Sequence, residues 1–182
     1  MTSSIDTTCT VWDLAASNAV TQLIAHDREV YDVAWISGSV DSFVSVGADG
    51  SLRAFDLRSL DHSTILYETP SKPVAKPPAT PGRPNPSSSA PPITRGPTQP
   101  LLRIAFNPLD SNFLATFHAE SADVQILDMR SPGRPVVEMK GHRANVNAVG
   151  WSSLDNGLVS SAGMNEDATS VVSPVTHQYS PF

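Results

Sequence analysis

His26-Asp-Arg-Glu-Val30-Tyr-Asp-Val33-Ala-Trp35 and His142-Arg-Ala-Asn-Val146-Asn-Ala-Val149-Gly-Trp151 carry one pattern twice: histidine, three residues, valine, two residues, valine, one residue, tryptophan. The second copy lies 116 positions after the first. A weaker copy stands between them, 71 positions after the first: Leu101, Ile104 and Phe106 take the places of Val30, Val33 and Trp35, and Pro97 takes the place of the histidine. Eleven of the 16 prolines fall between Pro70 and Pro100. Setting that stretch aside leaves two periods of about 42 residues between the two histidines. The spacing from Trp12 to Phe55 is 43, and that from Phe55 to Leu127 shrinks from 72 to about 41 in the same way.

A period near 42 built of short strand-like runs predicts the blades of a β-propeller. Local chemistry agrees. Phe43-Val44-Ser45-Val46 and Ser51-Leu52-Arg53-Ala54-Phe55 flank Asp49-Gly50, a hairpin signal whose two turn residues are expected to tolerate positive φ. One blade is predicted with strands near 30–36, 43–47, 51–56 and 62–68, and the next with strands near 101–107, 113–118, 123–128 and 136–140. No segment has a helical period of ten residues or more. The fold class is all-β: a partial propeller of about three to four blades.

The proline-rich stretch also contains Ser87-Ser88-Ser89, Lys72, Lys76, Arg83 and Arg95, and no acid. Such a composition buries too little apolar surface to offset its ordering entropy, so it is expected to be a disordered, basic linker. The chain divides into repeat units over 1–69, a linker over 70–100, repeat units over 101–163 and a divergent tail over 164–182. Of 12 basic and 18 acidic residues, the linker takes four basic ones, which leaves the rest at −10. An acidic body argues against direct nucleic-acid binding, because phosphate neutralisation needs Lys and Arg. No run approaches the roughly 18 apolar residues of a membrane span, and the polar, acidic start does not read as a secretory signal. Cys9, the single cysteine, cannot form an internal disulfide. His62, His118 and His177 are isolated, so neither a metal nor any other cofactor is expected. Trp12, Trp35 and Trp151 lie on strand patterns and are assigned to the core.

Val11-Trp12-Asp13, Ala25-His26, Gly141-His142 and Gly47-Ala48-Asp49-Gly50-Ser51-Leu52-Arg53-Ala54-Phe55-Asp56 resemble the Gly-His and Trp-Asp signatures of WD-repeat propellers. Longer strings are more particular. Residues 4–13, 21–27 (Thr-Gln-Leu-Ile-Ala-His-Asp) and 61–68 (Asp-His-Ser-Thr-Ile-Leu-Tyr-Glu) resemble the transparent-testa-glabra/Han-eleven family of WD-repeat adaptors. The resemblance covers about two fifths to one half of a usual member. It implies a non-catalytic scaffold that assembles transcription factors or protein kinases in nucleus and cytoplasm. The chain departs from the pattern at its start, which matches the last strands of a blade, at the proline insertion, and after Gly163. There the turn is replaced by Asn165-Glu166-Asp167 and the Trp-Asp strand is missing, so the last blade reads as unfinished. Open blade edges would make the chain alone marginal or oligomeric unless further residues complete the ring.

His26, Ser45 and Asp49 have the residue types of a hydrolytic triad. A triad also needs an oxyanion hole and a pocket, and the resemblance assigns these residues, with His142, to a buried hydrogen-bond network that sets blade geometry. Phe55 stands where that network would have a tryptophan, and the next blade offers only Pro97, Thr116, Glu120 or Asp123, and Leu127. Phe55-Asp56-Leu57-Arg58 and Leu127-Asp128-Met129-Arg130 resemble the end of the motif by which some WD-repeat proteins dock on a cullin–RING ubiquitin-ligase adaptor. The alternative function is therefore a ubiquitin-ligase substrate receptor, with Asp56, Arg58, Asp128 and Arg130 as docking residues. Thr69-Pro70 and Thr80-Pro81 have the form of proline-directed phosphorylation sites, and Pro78-Ala79-Thr80-Pro81 and Pro81-Gly82-Arg83-Pro84 that of PxxP ligands. A bare spacer is the simpler reading of the linker.

Overall fold

The computed structural model describes residues 1–70, 98–155 and 157–163, and the backbone of 170–174. Residues 71–97, and with them Thr80-Pro81 and the PxxP segments, lie outside the described residues, as does the Asn165-Glu166-Asp167 turn. Among the described residues, fourteen strands form four antiparallel sheets. The first contains β1 (Thr2–Ser3), β2 (Thr8–Asp13) and β3 (Asn18–Ile24). The second contains β4 (Val30–Trp35), β5 (Ser42–Gly47), β6 (Ser51–Asp56) and β7 (Ser59–Glu68) in sequential order. The third repeats this with β8 (Ala105–Phe106), β9 (Phe113–Phe117), β10 (Asp123–Asp128) and β11 (Pro135–Lys140). The fourth contains β12 (Val146–Trp151), β13 (Leu158–Gly163) and β14 (Ser170–Pro174). The sheets stack as the blades of a partial, incompletely closed β-propeller.

Strand alternation explains how the blades adhere. Successive side chains point to opposite faces, so each central strand serves two neighbours. In β5, Phe43 joins Cys9, Val11, Ala25, Val30 and Phe55 between blades one and two, while Val44 and Val46 join Leu66, Leu101, Leu114 and Leu127 between blades two and three. In β9, Leu114 turns to blade two, whereas Phe113, Ala115 and Phe117 pack with Val146 and Val159 of blade four. These middle strands are buried on both faces, so they read as apolar runs rather than as alternation.

Backbone bonds repeat at the seams. The amides of Val30, Leu101 and Val146, which hold the same place in the repeat, donate to the carbonyls of Ser4, Gly47 and Ser121 of the preceding blade. β4 and β12 also share a bulge, after Val30 and after Val146.

Four expectations need correction. The first strand of blade three is not 101–107 but Ala105–Phe106 plus a bridge from Leu101 to His118. Its amides are drawn elsewhere: Leu101 donates to Gly47, and Ile104 donates to the Asp32 carboxylate of blade two at 2.9 Å. In the last blade a third strand does form without a Trp-Asp pair, because β14 pairs with β13 from Leu158–Pro174 to Ala162–Ser170. The Asp49-Gly50 turn has positive φ at Gly50 alone (76°). Asp49 instead uses its carboxylate to accept the Ser51 amide at 3.0 Å, a local turn device of Asp side chains. Finally, Trp12 and Trp35 are not core residues, being 46 % and 39 % exposed. On β2 the neighbours Cys9 and Val11 face blade two, which turns Trp12 outward, where its indole N–H donates to Thr2 Oγ1. Trp35 sits edge-on to Phe43 and keeps its remaining surface in solvent. Trp151 is half-buried and donates across a seam to the Ala105 carbonyl at 2.9 Å.

Candidate functional site: blade networks and the Asp-x-Arg hairpins

The structure brings His26, Ser45 and Asp49 together at the seam of blades one and two. His26 arrives on the loop between β3 and β4, Ser45 stands in the middle of β5, and Asp49 follows that strand in its turn. His26 Nε2 is 2.8 Å from Ser45 Oγ, and Nδ1 is 3.0 Å from Asp49 Oδ1 and 3.1 Å from Ser51 Oγ. Arg53, across the ladder from Ser45, completes the cluster. Its guanidinium donates to Ser51 Oγ, the Ala25 carbonyl, Asp27 Oδ2 (2.7 Å) and Asp49 Oδ2 (3.0 Å). Burial pushes the Asp49 carboxyl up, but hydrogen bonds from His26 and from the Ser51 side chain and backbone outweigh it and hold the carboxyl far below its ordinary range.

This constellation is structural. Ser45 is fully buried and His26 is 1 % exposed, so a substrate carbonyl cannot reach the hydroxyl. Ser45 also meets the thiol of Cys9 from blade one, whose pKa burial raises to about 11 despite that bond. Where an indole is absent, Phe55 stacks on Phe43 with centroids 5.1 Å apart. Gly47 lets the histidine in: a Cβ there would lie 2.8 Å from the Glu29 carbonyl and 2.9 Å from the His26 ring. Ser51, Arg53 and Cys9 were missed in the sequence. Ser51 and Arg53 stand two and four residues beyond Asp49, and Arg53 is the only cation on β5 or β6.

Blade four repeats the entrance but not the whole cluster. His142 Nε2 is 2.8 Å from Ser161 Oγ, and Gly163 passes beneath the ring as Gly47 does. Among the described residues, the buried His142 Nδ1 has no hydrogen-bond partner. By repeat spacing, Asn165 corresponds to Asp49.

Blade three solves the seam differently. Pro97 holds the histidine's place, and His118 holds the place of Gly47. Its imidazole is 6 % exposed and lies 2.9 Å from the hydroxyl of Thr69, which donates to the Gly50 carbonyl at 2.9 Å. Burial lowers the His118 pKa, against a smaller upward pull from Glu138. Thr69 is 7 % exposed and engaged at a blade seam, so, contrary to the expectation for Thr69-Pro70, a kinase cannot reach that hydroxyl in the folded chain. Glu120 takes a left-handed turn conformation (φ 57°), and Asp123 begins β10.

On the surface, two successive hairpins carry the same fork. Arg58 Nε and Nη2 donate to Asp56 at 2.9 and 2.6 Å, and Arg130 Nε and Nη2 donate to Asp128 at 3.0 and 2.8 Å. In each, the arginine amide also donates to the aspartate at 2.9 Å. The hydrogen bond from Arg58 depresses the Asp56 carboxyl to about 2, and the one from Arg130 lowers Asp128. Arg130 also lies over the Phe113 ring, 5.4 Å from its centroid. The corresponding hairpin of blade one offers Asp13-Leu14-Ala15, without an arginine. No group of three or more potential metal ligands occurs among the described residues, nor is any described helix long and apolar enough to cross a membrane.

Comparison with known proteins agrees with this architecture. The family of the WD domain, G-beta repeat, matches residues 133–169. A WD repeat-containing protein of Schizosaccharomyces pombe is 51 % identical over 82 % of this chain and 32 % of its own length. One from Saccharomyces cerevisiae is 48 % identical over 90 % of this chain and 30 % of its own. The DDB1- and CUL4-associated factor 7 homolog of Dictyostelium discoideum is 47 % identical over 83 % of this chain and 38 % of its own. The chain thus spans about a third of the length of the curated relatives it matches. Four blade-like sheets with a repeated histidine–serine closure, and this run of WD-repeat relatives, place the chain in the WD-repeat protein family.

Proposed function

We propose that the chain belongs to a non-catalytic WD-repeat scaffold that serves as a substrate receptor for a cullin–RING ubiquitin ligase. The carrying observation is the twin fork, Asp56 with Arg58 and Asp128 with Arg130, built alike on neighbouring hairpins. Exposed ion pairs contribute only about 0–1 kcal/mol to folding, so stability alone gives little reason to build the same one twice. Arginine held flat by a carboxylate is preorganised for charge-assisted contact with a partner. The likeness to a DDB1- and CUL4-associated factor homolog supports the same reading. Replacing both Arg58 and Arg130 with alanine should abolish recovery of the ligase adaptor in a pull-down while shifting stability by no more than about 1–2 kcal/mol. Undiminished recovery would sink the proposal.

A second reading rests on the strings at 4–13, 21–27 and 61–68, which favour the transparent-testa-glabra/Han-eleven adaptors. On that reading the scaffold gathers transcription factors or protein kinases in nucleus and cytoplasm. Affinity purification from cells would separate the two: ligase subunits among the partners support the first, and kinases or transcription factors without them support the second.

A further inference from the structure

The seam between blades two and three contains a cleft of about 400 Å³, in the class of small ligand sites; it is lined by Tyr67, Thr69, His118, Asp123, Gln125 and Glu138, with Arg134 also on its wall. Its chemistry is clearest beside the neighbouring seam. There, Arg53 fills the space between blades one and two and satisfies Asp27, Asp49 and the Ala25 carbonyl. Arg53 pairs across the ladder with Ser45. In blade three the same ladder position is a pair of Thr116 and Gln125, with Glu138 opposite Gln125 on the outer strand. The arginine has become a glutamine.

Unmet acceptors result. Gln125 is 8 % exposed and its side chain bonds with the Tyr67 hydroxyl, yet its Oε1 has no partner among the described residues; the Oγ1 of the fully buried Thr116, which does not line the cleft, has none either. Buried polar atoms left unpaired are costly and uncommon. Carboxylates of Asp123 and Glu138 stand on the same cleft. Burial pushes the Tyr67 hydroxyl up and the His118 ring down, which favours the neutral form of both; the cation nearest Glu138 is the exposed Lys140, whose Nζ is 3.9 Å away. Arg134 is an exposed residue of the loop before β11.

We infer that this cleft receives an arginine side chain from a partner polypeptide, whose guanidinium takes at the second seam the place that Arg53 fills at the first. A planar fork of donors suits a pair of carboxylates and an amide oxygen better than an ammonium does. The tyrosine ring supplies an apolar wall for the side-chain stem.

The test uses the full chain and a fluorescein-labelled nonapeptide with one central arginine among glycine, serine and alanine, read by fluorescence anisotropy. An otherwise identical peptide with citrulline keeps the shape and removes the charge. Saturable binding of the arginine peptide, about tenfold weaker for citrulline, is expected. Glu138→Gln and Asp123→Asn should each weaken it by a similar factor with unchanged melting temperature. Gln125→Arg, which supplies the cation from within, should abolish peptide binding. Equal affinity for the two peptides, absence of saturable binding, or carboxylate variants that bind like the wild type would each overturn the inference.

Discussion

Blades two and four begin with the same ten-residue pattern and end with different polar interiors. In blade two the imidazole of His26 is held on both sides, by Ser45 on one nitrogen and by Asp49 and Ser51 on the other. In blade four the imidazole of His142 is held by Ser161 on one nitrogen, and the other has no described partner. The serine and the glycine under the ring are enough to seat a histidine in the seam. What the second blade adds is a carboxylate and, through it, an arginine that ties Asp27 and Ala25 of the preceding loop to the turn. Blade-to-blade cohesion is thus graded along the chain, because the polar part of each seam is only as strong as its most complete hydrogen-bond network.

The largest expected effect comes from removing the histidines. His26→Ala empties the space of a buried ring and removes its bonds to Ser45 and to Asp49, which keeps Arg53 and Ser51, and should cost about 2–4 kcal/mol. His142→Ala should cost about 1–2 kcal/mol, because it leaves one hydroxyl unpaired. Urea unfolding of the two variants side by side measures the difference. Equal losses would mean that the carboxylate adds nothing and that the contrast between the blades is one of appearance.

Next come the glycines under the rings. Gly47→Ala forces a methyl to within 2.8 Å of a backbone carbonyl, whereas the tightest approach at Gly163 is 3.0 Å. The first should destabilise by about 1–3 kcal/mol and the second by less. A thermal melt in which Gly163→Ala proves the more damaging would show that blade four is the more tightly packed at this point.

The smallest effect concerns pH. Asp49 titrates below its ordinary value near 3.8 in the folded chain, so the stability of its charged form is present above that value and lost as acid carries the pH down through the folded-state range. Asp49→Asn should cost about 1–2 kcal/mol at pH 7, and the gap to the wild type should close progressively below pH 3.8. A gap that stays constant with pH would assign the effect to lost hydrogen-bond geometry rather than to charge.

How far the sequence carries varies by element. The strands of blade two fall within a few residues of their expected places because its short apolar runs, its Asp-Gly turn and its closing Phe-Asp all agree. Blade three was legible in its last three strands and not in its first, since the amides of Leu101 and Ile104 bond to the preceding blade and no local pattern encodes that. Trp12 and Trp35 misled because apolar size speaks for burial while exposure depends on which neighbour stands opposite. Thr69 misled in the other direction: Thr-Pro reads as an open phosphorylation site until His118 and Gly50, remote in sequence, are seen to close over it.

By itself, the sequence determined the repeat, its period, the all-β class and the presence of His26, Ser45 and Asp49 at matching intervals, because periodicity and turn chemistry are local properties written every few residues. Only the tertiary structure decided how the seams differ: Arg53 filling the first, Thr69 and His118 closing part of the second beside the unmet oxygens of Gln125 and Thr116, and His142 with one nitrogen unpartnered among the described residues in the third. Those differences arise where two blades meet face to face. Each polar atom there is satisfied, or not, by a group from the neighbouring blade or from the far side of its own.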